Sequence, residues 1–468
     1  MNFQKNLWVL ALSGAMPLVS AHAQSTADLK KEIEALKAQL QVLQQKVEAV
    51  SAQADTTPVS QQVNRLEQRF DIAGDEAEKS GFKGMKINGA IETALKYNSI
   101  DKSNEFSASA GYNTGEYGML QITKESQDGE GIDWTLRLLP GGSSLVHEAS
   151  VSIPLDKENR VIGGFMPDFQ GYEFAFPNAT AGLGNQFITH NALYDLAGAT
   201  AYTGLGMSHS LAGGTVALKW MVGNVDGSAD STDLAKIDAP NFVKRSYDPA
   251  TGETRADQIV TATTSTAKTV ALAYRADWTV NDTTYIGFSG LHGSMNRSFN
   301  IMALDGGYTR GDWQLNGQLT AGQMDRAAAN GGEARWTGVS AFMSYKIVPR
   351  LQLLARADFI ENGANGGGTY VDNGGALGGE RVNGLGPEGL DATGNFAYDA
   401  ATGLATQGAS LYRFSLGTNY QVNANTQWKT EYRLDQSTGY NFQVLNADGT
   451  YHYQKDRTTL STAMVLSF

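Results

Sequence analysis

Cationic side chains recur at alternate positions in segments whose other positions are apolar. Of all the side chains in the sequence, these are the strongest candidates for a binding site. A guanidinium group keeps its charge at physiological pH and offers bidentate donors to carboxylates. Several such groups around one water-filled space would attract small anions. Alternatively, each cation pairs with an acid of the same face, such as Asp133, Asp277, Asp358 or Glu431. The candidate anion-binding set is Arg137, Lys219, Arg275, Arg356, Arg413, Lys429, Arg433 and Arg457.

Patterns typical of enzymes and cofactor sites are incomplete. Ser144 and His147 are close in sequence, but a hydrolase of the Ser-His-Asp type would need a third group. The six histidines lack the helical spacing of metal ligands, and the absence of cysteine excludes thiolate sites. The glycines of 111–115 and 363–368 are interpreted as turns, because a Walker lysine is missing. We therefore predict no enzymatic activity, no metal and no cofactor.

The elements that carry these cations have a period of two, which is typical of strands with one apolar face. In one segment Tyr412, Phe414 and Leu416 alternate with Arg413 and Ser415. Strands of about ten residues, with charges on one face and aromatic residues near the ends of the other, favour a membrane barrel over a soluble sandwich. We predict an all-β transmembrane fold over residues 85–468, an antiparallel up-and-down barrel. Sixteen strands are expected and eighteen are the alternative, since even numbers are preferred.

The last strand ends on Phe468, with Leu460, Thr462, Met464 and Leu466 on the same face. A final strand that ends in an aromatic residue resembles the signal by which outer-membrane barrels are recognised for insertion. This resemblance implies the barrel-assembly machinery as a partner. The alternative is an ordinary last strand of a soluble sheet.

The connections between strands differ in length and composition. Short turns at 280–282, 348–350 and 422–425 are predicted to be periplasmic, and the long segments 224–266 and 361–408 to be extracellular loops. Segment 163–190 is aromatic and too apolar for a free surface loop. We predict that it folds into the barrel and narrows the pore, with a packed extracellular lid as the alternative. The candidate constriction residues are Phe165, Asp168, Phe169 and Phe174.

Two segments precede the barrel. Residues 1–23 have Lys5, a short apolar stretch and an Ala21-His22-Ala23 cleavage site, which predicts a secretory signal peptide. Residues 24–80 predict an α-helical coiled coil that oligomerises the chain as a dimer or a trimer, because apolar residues alternate at spacings of four and three. That seam consists of Leu29, Ile33, Leu36, Leu40, Leu43, Val47 and Val50. The net charge of -12 argues against a nucleic-acid partner.

Signal, heptads, alternating strands and terminal Phe468 together resemble the DcaP-like family of trimeric outer-membrane porins. The resemblance implies a sixteen-stranded barrel in outer-membrane lipid, a homotrimer and a coiled coil in the periplasm. It also implies passive uptake of small anionic solutes such as dicarboxylates. Sugar-specific porins share the coiled-coil arm but have eighteen strands. A barrel-anchored adhesin is the alternative without transport.

Overall fold

The computed structural model describes most of residues 84–468 and omits several connections. The described ranges are 84–99, 103–107, 118–126, 131–139, 145–173, 186–198, 201–225, 236–237, 243–248, 253–259, 264–265, 270–294, 298–325, 328, 332–369, 384–388, 407–446 and 451–468. The predicted signal peptide and coiled coil lie outside these residues, as does Phe174, so all three stay predictions.

Antiparallel strands make up most of the described chain. The first twelve are β1 (Met85–Asn98), β2 (Ser103–Ser107), β3 (Gly118–Lys124), β4 (Asp133–Leu138), β5 (Val146–Pro154), β6 (Asn159–Pro167), β7 (Ala201–Leu211), β8 (Val216–Val225), β9 (Lys236–Ile237), β10 (Val243–Asp248), β11 (Glu253–Ile259) and β12 (Thr264–Ser265). They are followed by β13 (Val270–Asn281), β14 (Thr284–Ser294), β15 (Ser298–Arg310), β16 (Trp313–Met324), β17 (Ala334–Val348), β18 (Leu351–Glu361), β19 (Leu411–Asn423), β20 (Thr426–Ser437), β21 (Phe442–Leu445), β22 (Tyr451–Gln454) and β23 (Asp456–Ser467). A short helix, α1 (Ala192–Leu196), and a 3-10 turn at Ala212–Gly214 also occur. Within the described residues, no helix is both long and apolar enough to cross a membrane.

The sheet closes on itself as a barrel of sixteen strand positions. Strand β1 pairs with β23 on one side, from Ala90↔Ser467 to Asn98↔Thr459. On its other side β3 pairs with the first half of β1 and β2 with the second half, so β2 and β3 share one position. The remaining neighbours follow the chain, with β9 to β12 and β21 to β22 outside the ring. The predicted antiparallel barrel of sixteen strands is confirmed, and the alternative of eighteen is wrong.

The alternation of side chains explains why these segments form a barrel. In β17, Trp336 and Ser340 are buried inside, whereas Val339 and Met343 are exposed on the outer surface. The other strands repeat this arrangement, so the outer surface is apolar and most buried charges are inside. A closed sheet leaves no strand edge unpaired, and an apolar outer surface suits lipid. The sheet is therefore a transmembrane barrel.

The two ends of the barrel differ in their connections. Two-residue turns join β13 to β14, β15 to β16, β17 to β18 and β19 to β20 at one end, here named the short-turn end. Segment 224–266, predicted to be a loop, departs from the prediction. Strand β8 continues to Val225, β9 pairs with β12, and β10 pairs with β11. Its residues show no alternation in sequence, because a hairpin outside the main sheet need not keep one face apolar.

Candidate functional site

The chain turns into the barrel directly after β6 ends at Pro167. We name residues 168–198 the inward segment, of which 168–173 and 186–198 are described. Arg275 Nη1 donates to the Phe169 carbonyl at 2.9 Å, and Arg356 Nη2 donates to the His190 carbonyl at 2.7 Å. The Tyr172 hydroxyl lies 2.7 Å from Ser340 Oγ. Because these partners are buried residues of the inner wall, the described parts of the inward segment lie inside the barrel and not over its mouth.

Helix α1 anchors the second part of the inward segment. Asn191 caps it, because its side chain accepts a hydrogen bond from the Tyr194 amide at 2.7 Å. Leu193 and Leu196 belong to an apolar cluster with inner-wall residues such as Trp336 and Ile360. The Trp336 indole also donates to the Ala197 carbonyl at 3.2 Å. This cluster lies in the half of the barrel that is farther from the short-turn end.

Arg275 joins the first part of the inward segment to the wall. Its guanidinium donates to Asp305 through both terminal nitrogens at 2.9 Å, and Nε donates to Asp277 at 2.8 Å. The remaining donor capacity goes to the carbonyls of Phe169 and Gly171. Every nitrogen of this group is thus engaged, and Arg275 orders the backbone of residues 169–171.

Arg356 joins the second part in the same way. Its Nη1 donates to Glu173 at 2.8 Å and to the Thr189 carbonyl at 2.9 Å. Asp358 lies 3.4 Å away and Glu431 3.7 Å away, so three carboxylates surround one cation. All four side chains are at least 94% buried. A buried ion group of this kind costs desolvation energy, and its hydrogen bonds offset part of that cost.

A third group of charged side chains has more cations than carboxylates, unlike the group around Arg356. Arg413, Arg433 and Arg457 all contact Asp435, at 2.8, 2.9 and 2.5 Å. Arg413 also donates to Asp195 of α1 at 2.7 Å. We name these residues the arginine cluster. It lies near the ends of β19, β20 and β23 that are opposite the short-turn end, and it contains three cations and two carboxylates.

A cavity of about 440 Å³ lies between the inward segment and the short-turn end. Its side near the turns includes Tyr285, Gln314 and Asn316. Lys219 also lines it, with Nζ 4.2 Å from the centroid of the Phe169 ring. The remaining lining residues among those described are Asp168, Gln170, Gly171, Tyr172, Glu173, Gln186, Phe187, Arg275 and Phe342.

Residues 119–468 match the model of a family described as a protein of unknown function, DUF3138. The chain belongs to this DUF3138 family. The match runs from β3 to the C-terminus and so covers most of the barrel, including the inward segment. No curated protein matches the chain.

Several solved outer-membrane proteins have a similar architecture to the DUF3138 barrel. OmpT of Vibrio cholerae in its trimer form has 10% identity and a TM-score of 0.47, with 82% of this chain and 99% of that chain covered. The channel DcaP of Acinetobacter baumannii has 11% identity and a TM-score of 0.47, with 82% and 97% covered. OmpF of Salmonella typhi in complex with daunomycin has 9% identity and a TM-score of 0.45, with 82% and 97% covered. Membership of the DcaP-like family therefore stays a prediction.

All eight cations predicted from strand parity lie on inner faces of the DUF3138 barrel. Six of them, the arginines, contact carboxylates; Arg137, for example, lies 3.2 Å from Glu148. The contacts of these six arginines thus match the alternative given above, in which each cation pairs with an acid instead of a solute. Lys429 is buried. Within the described residues, no carboxylate oxygen lies within 4.0 Å of Lys219 Nζ.

One predicted constriction residue is misplaced. Phe165 lies in β6, because the strand continues to Pro167 before the chain turns inward. Gly163, two positions earlier, pairs with Leu205, which is 64% exposed on the outer surface. Phe165 shares that outer face, so it cannot line the lumen. Asp168 and Phe169 do lie in the inward segment, where Asp168 accepts a hydrogen bond from the Tyr202 hydroxyl.

Several acids of the DUF3138 lumen were not predicted from the sequence, among them the following four. Asp305 and Asp435 occupy inward positions of β15 and β20, so strand parity could have identified them. Glu173 and Asp195 belong to the irregular inward segment, where no period assigns a direction to a side chain. Only the folded chain brings them to Arg356 and Arg413.

Proposed function

We propose that this protein is an outer-membrane porin, a passive path for small hydrophilic solutes. The observation that carries the proposal is a lumen lined with ionic side chains inside an apolar outer surface. Part of that lumen reaches water, since the ion pair between Arg160 and Asp133 leaves the two side chains 20% and 32% exposed. Charged groups inside a barrel are typical of aqueous channels.

We further propose that the pore prefers small anions, among them dicarboxylates. The arginine cluster supports this preference, because Arg413, Arg433 and Arg457 outnumber Asp435 and Asp195. A low-dielectric wall concentrates the field of such a surplus charge. With short turns in the periplasm, a solute from outside meets this cluster, where it contacts α1, before it reaches the cavity beside the short-turn end. Arg356 contributes no positive field, since three carboxylates surround it.

The quaternary structure and targeting complete the proposal. The heptads of residues 24–80 support a homotrimer with a periplasmic coiled coil, and the segment 1–23 supports export. Phe468 supports insertion by the barrel-assembly machinery. The solutes are small anions, the surrounding partner is outer-membrane lipid, and the chain needs no cofactor to conduct them.

Planar-bilayer recording in a KCl gradient tests both parts. We expect discrete conductance steps and a reversal potential on the anion side. The double variant Arg433→Gln with Arg457→Gln should move that potential towards cations, and the movement should shrink in high salt because mobile ions screen the field. Arg335→Gln is the matched control, because Arg335 is exposed and pairs with Glu333 away from the lumen.

Two results would contradict the proposal in different ways. A wild-type pore that prefers cations would refute the anion preference and leave the porin intact. A folded, inserted protein without any conductance would refute the porin and favour the barrel-anchored adhesin.

A further inference from the structure

We propose that the cavity beside the inward segment binds a solute with one carboxylate and one aromatic ring, and that Lys219 holds the carboxylate. This inference rests on the proposed porin function and names a class of solute for it. It is carried by the lining of the cavity, in which a cation with no carboxylate within 4.0 Å, among the described residues, shares the space with several aromatic rings.

Lys219 is the cation that a ligand can reach. Arg275, the other basic residue that lines the cavity, is saturated by Asp277, Asp305 and two backbone carbonyls. Lys219 has the Phe169 ring beside it and, among the described residues, no carboxylate within 4.0 Å. Asp168, Asp277 and Glu148 act on Lys219 only from beyond this distance. An ammonium group with three donors and no carboxylate within 4.0 Å gains a charge-assisted hydrogen bond when a ligand carboxylate arrives.

The aromatic part of the cavity lining suits a ligand ring. Phe187 and Phe342 meet edge to face with centroids 5.9 Å apart, and Tyr285 stands at the side near the short turns. Aromatic pairs contribute energy beyond simple burial, so a ligand ring would be favoured over an aliphatic chain. Gln314 and Asn316 offer amides to water or to a polar substituent. The volume of about 440 Å³ lies in the usual range of small-molecule sites.

The acids of the cavity limit the ligand to one carboxylate. Asp168 and Glu173 line the same space as Lys219. A second carboxylate on the ligand would find no available cation, because Arg275 is fully engaged, and it would face these two acids. Like charges within one small cavity repel, so a dicarboxylate should pass through this cavity without binding there. The arginine cluster thus selects a solute by its negative charge, and the cavity selects it by the combination of one carboxylate and one ring.

Benzoate is the probe, titrated calorimetrically into the full-length, folded protein in detergent. We expect saturable binding of benzoate and weaker binding of acetate, which lacks the ring, and of benzyl alcohol, which lacks the charge. Lys219→Met should weaken benzoate binding by about tenfold or more, the loss expected for one charge-assisted hydrogen bond. Lys219→Arg should retain most of the affinity. Lys346→Met is the matched control, because Lys346 is an exposed lysine at the short-turn end and lies outside the cavity lining.

The heat-modifiable mobility of each variant on gels verifies that it has folded. Equal benzoate affinity in wild type and Lys219→Met would overturn the inference. A wild-type protein that conducts ions but binds no benzoate would overturn it as well and leave the porin intact. Absence of both conductance and binding would overturn the proposed function together with this inference.

Discussion

Arginine side chains in this lumen hold the inward segment against the wall. Arg275, Arg356 and Arg413 come from three different strands, and each donates to backbone carbonyls of that segment as well as to acids. A guanidinium group suits this role because its donors form a planar fork that serves several acceptors at once. The same side chains that sequence parity suggested as anion ligands are therefore occupied by the protein itself.

Arg356→Gln should destabilise the barrel, because it leaves Glu173, Asp358 and Glu431 buried without their shared cation. Removal of one partner from a buried ion group costs about 3–5 kcal/mol. Urea unfolding of the purified protein in detergent measures the change in the free energy of unfolding. Arg335→Gln breaks an exposed arginine–glutamate pair and should change it by about 1 kcal/mol or less. Equal losses for both variants would show that Arg356 does not anchor the segment.

For a single charged side chain, the sequence predicts which face of the barrel wall it lies on but not which residue it pairs with. Parity placed Arg356 and Asp358 on the inner face, because side chains two positions apart share a face. Glu173 could not be assigned, since it reaches Arg356 from a segment without a period. The sequence predicts Lys219 as one of eight lumen cations. Only the folded chain shows that Arg275 pairs with a carboxylate, whereas Lys219 lies beside an aromatic ring.

Helix α1 is positioned by a glycine of the barrel wall. A Cβ at Gly338 would overlap Leu193 Cδ2, and Leu193 is 2% exposed and belongs to the apolar cluster. Gly338→Ala should displace α1 and lower the free energy of unfolding by about 1–3 kcal/mol, as overpacking does. Because α1 belongs to the inward segment, the single-channel conductance should change as well. Urea unfolding and planar-bilayer recording measure the two effects.

Gly317→Ala is the control for this change. Gly317 lies in the adjacent strand β16, and a Cβ there would have its nearest neighbour at 3.9 Å, which is ordinary contact. Its stability and conductance should remain those of the wild type. If Gly338→Ala behaves like Gly317→Ala, then α1 adapts without cost and does not shape the conducting path.

Strands could be predicted from the sequence where one face contacts lipid and the other faces the lumen. Strands such as β17 and β19 lie between lipid and lumen, so every second residue is apolar and the alternation extends along each strand. The pairs β9–β12 and β10–β11 lie outside the main sheet, so they need no apolar face, and their residues do not alternate between apolar and polar. The inward turn after Pro167 was predicted a few residues too early, because the wall strand β6 continues through Phe165.

The whole barrel closes at Phe468. Its amide donates to the Gly89 carbonyl and its carbonyl accepts from the Gly89 amide, both at 3.0 Å, while its ring covers Gly89. Deletion of Phe468 should lower the fraction of folded, heat-modifiable protein in outer membranes. Phe468→Leu keeps both backbone hydrogen bonds and separates the effect of the ring from that of the closure. Wild-type levels of folded protein after deletion would contradict this role.

Assembly of the proposed homotrimer should depend on the predicted heptads of residues 24–80. Replacing Leu36, Leu40 and Leu43 with Asn should reduce the trimer, because each change buries polar groups in the predicted seam. The mass of the complex in detergent measures the loss. The control replaces Gln39 and Gln44, which flank the seam, with Asn. An equally heat-resistant trimer from a chain lacking residues 24–80 would show that the barrels associate by themselves.

The pairing of β1 with β23 also has a kinetic consequence. Most neighbours in the ring are joined by hairpins, whose short loops cost little chain entropy to close. The pair Ala90↔Ser467 joins the two ends of the barrel sequence, and closure of a loop of several hundred residues costs about 5 kcal/mol if the intervening chain is disordered. Formation of the hairpins first reduces this cost, since it shortens the effective loop. The seam between β1 and β23 should therefore form last, and until then both strands present open edges that can pair with other chains.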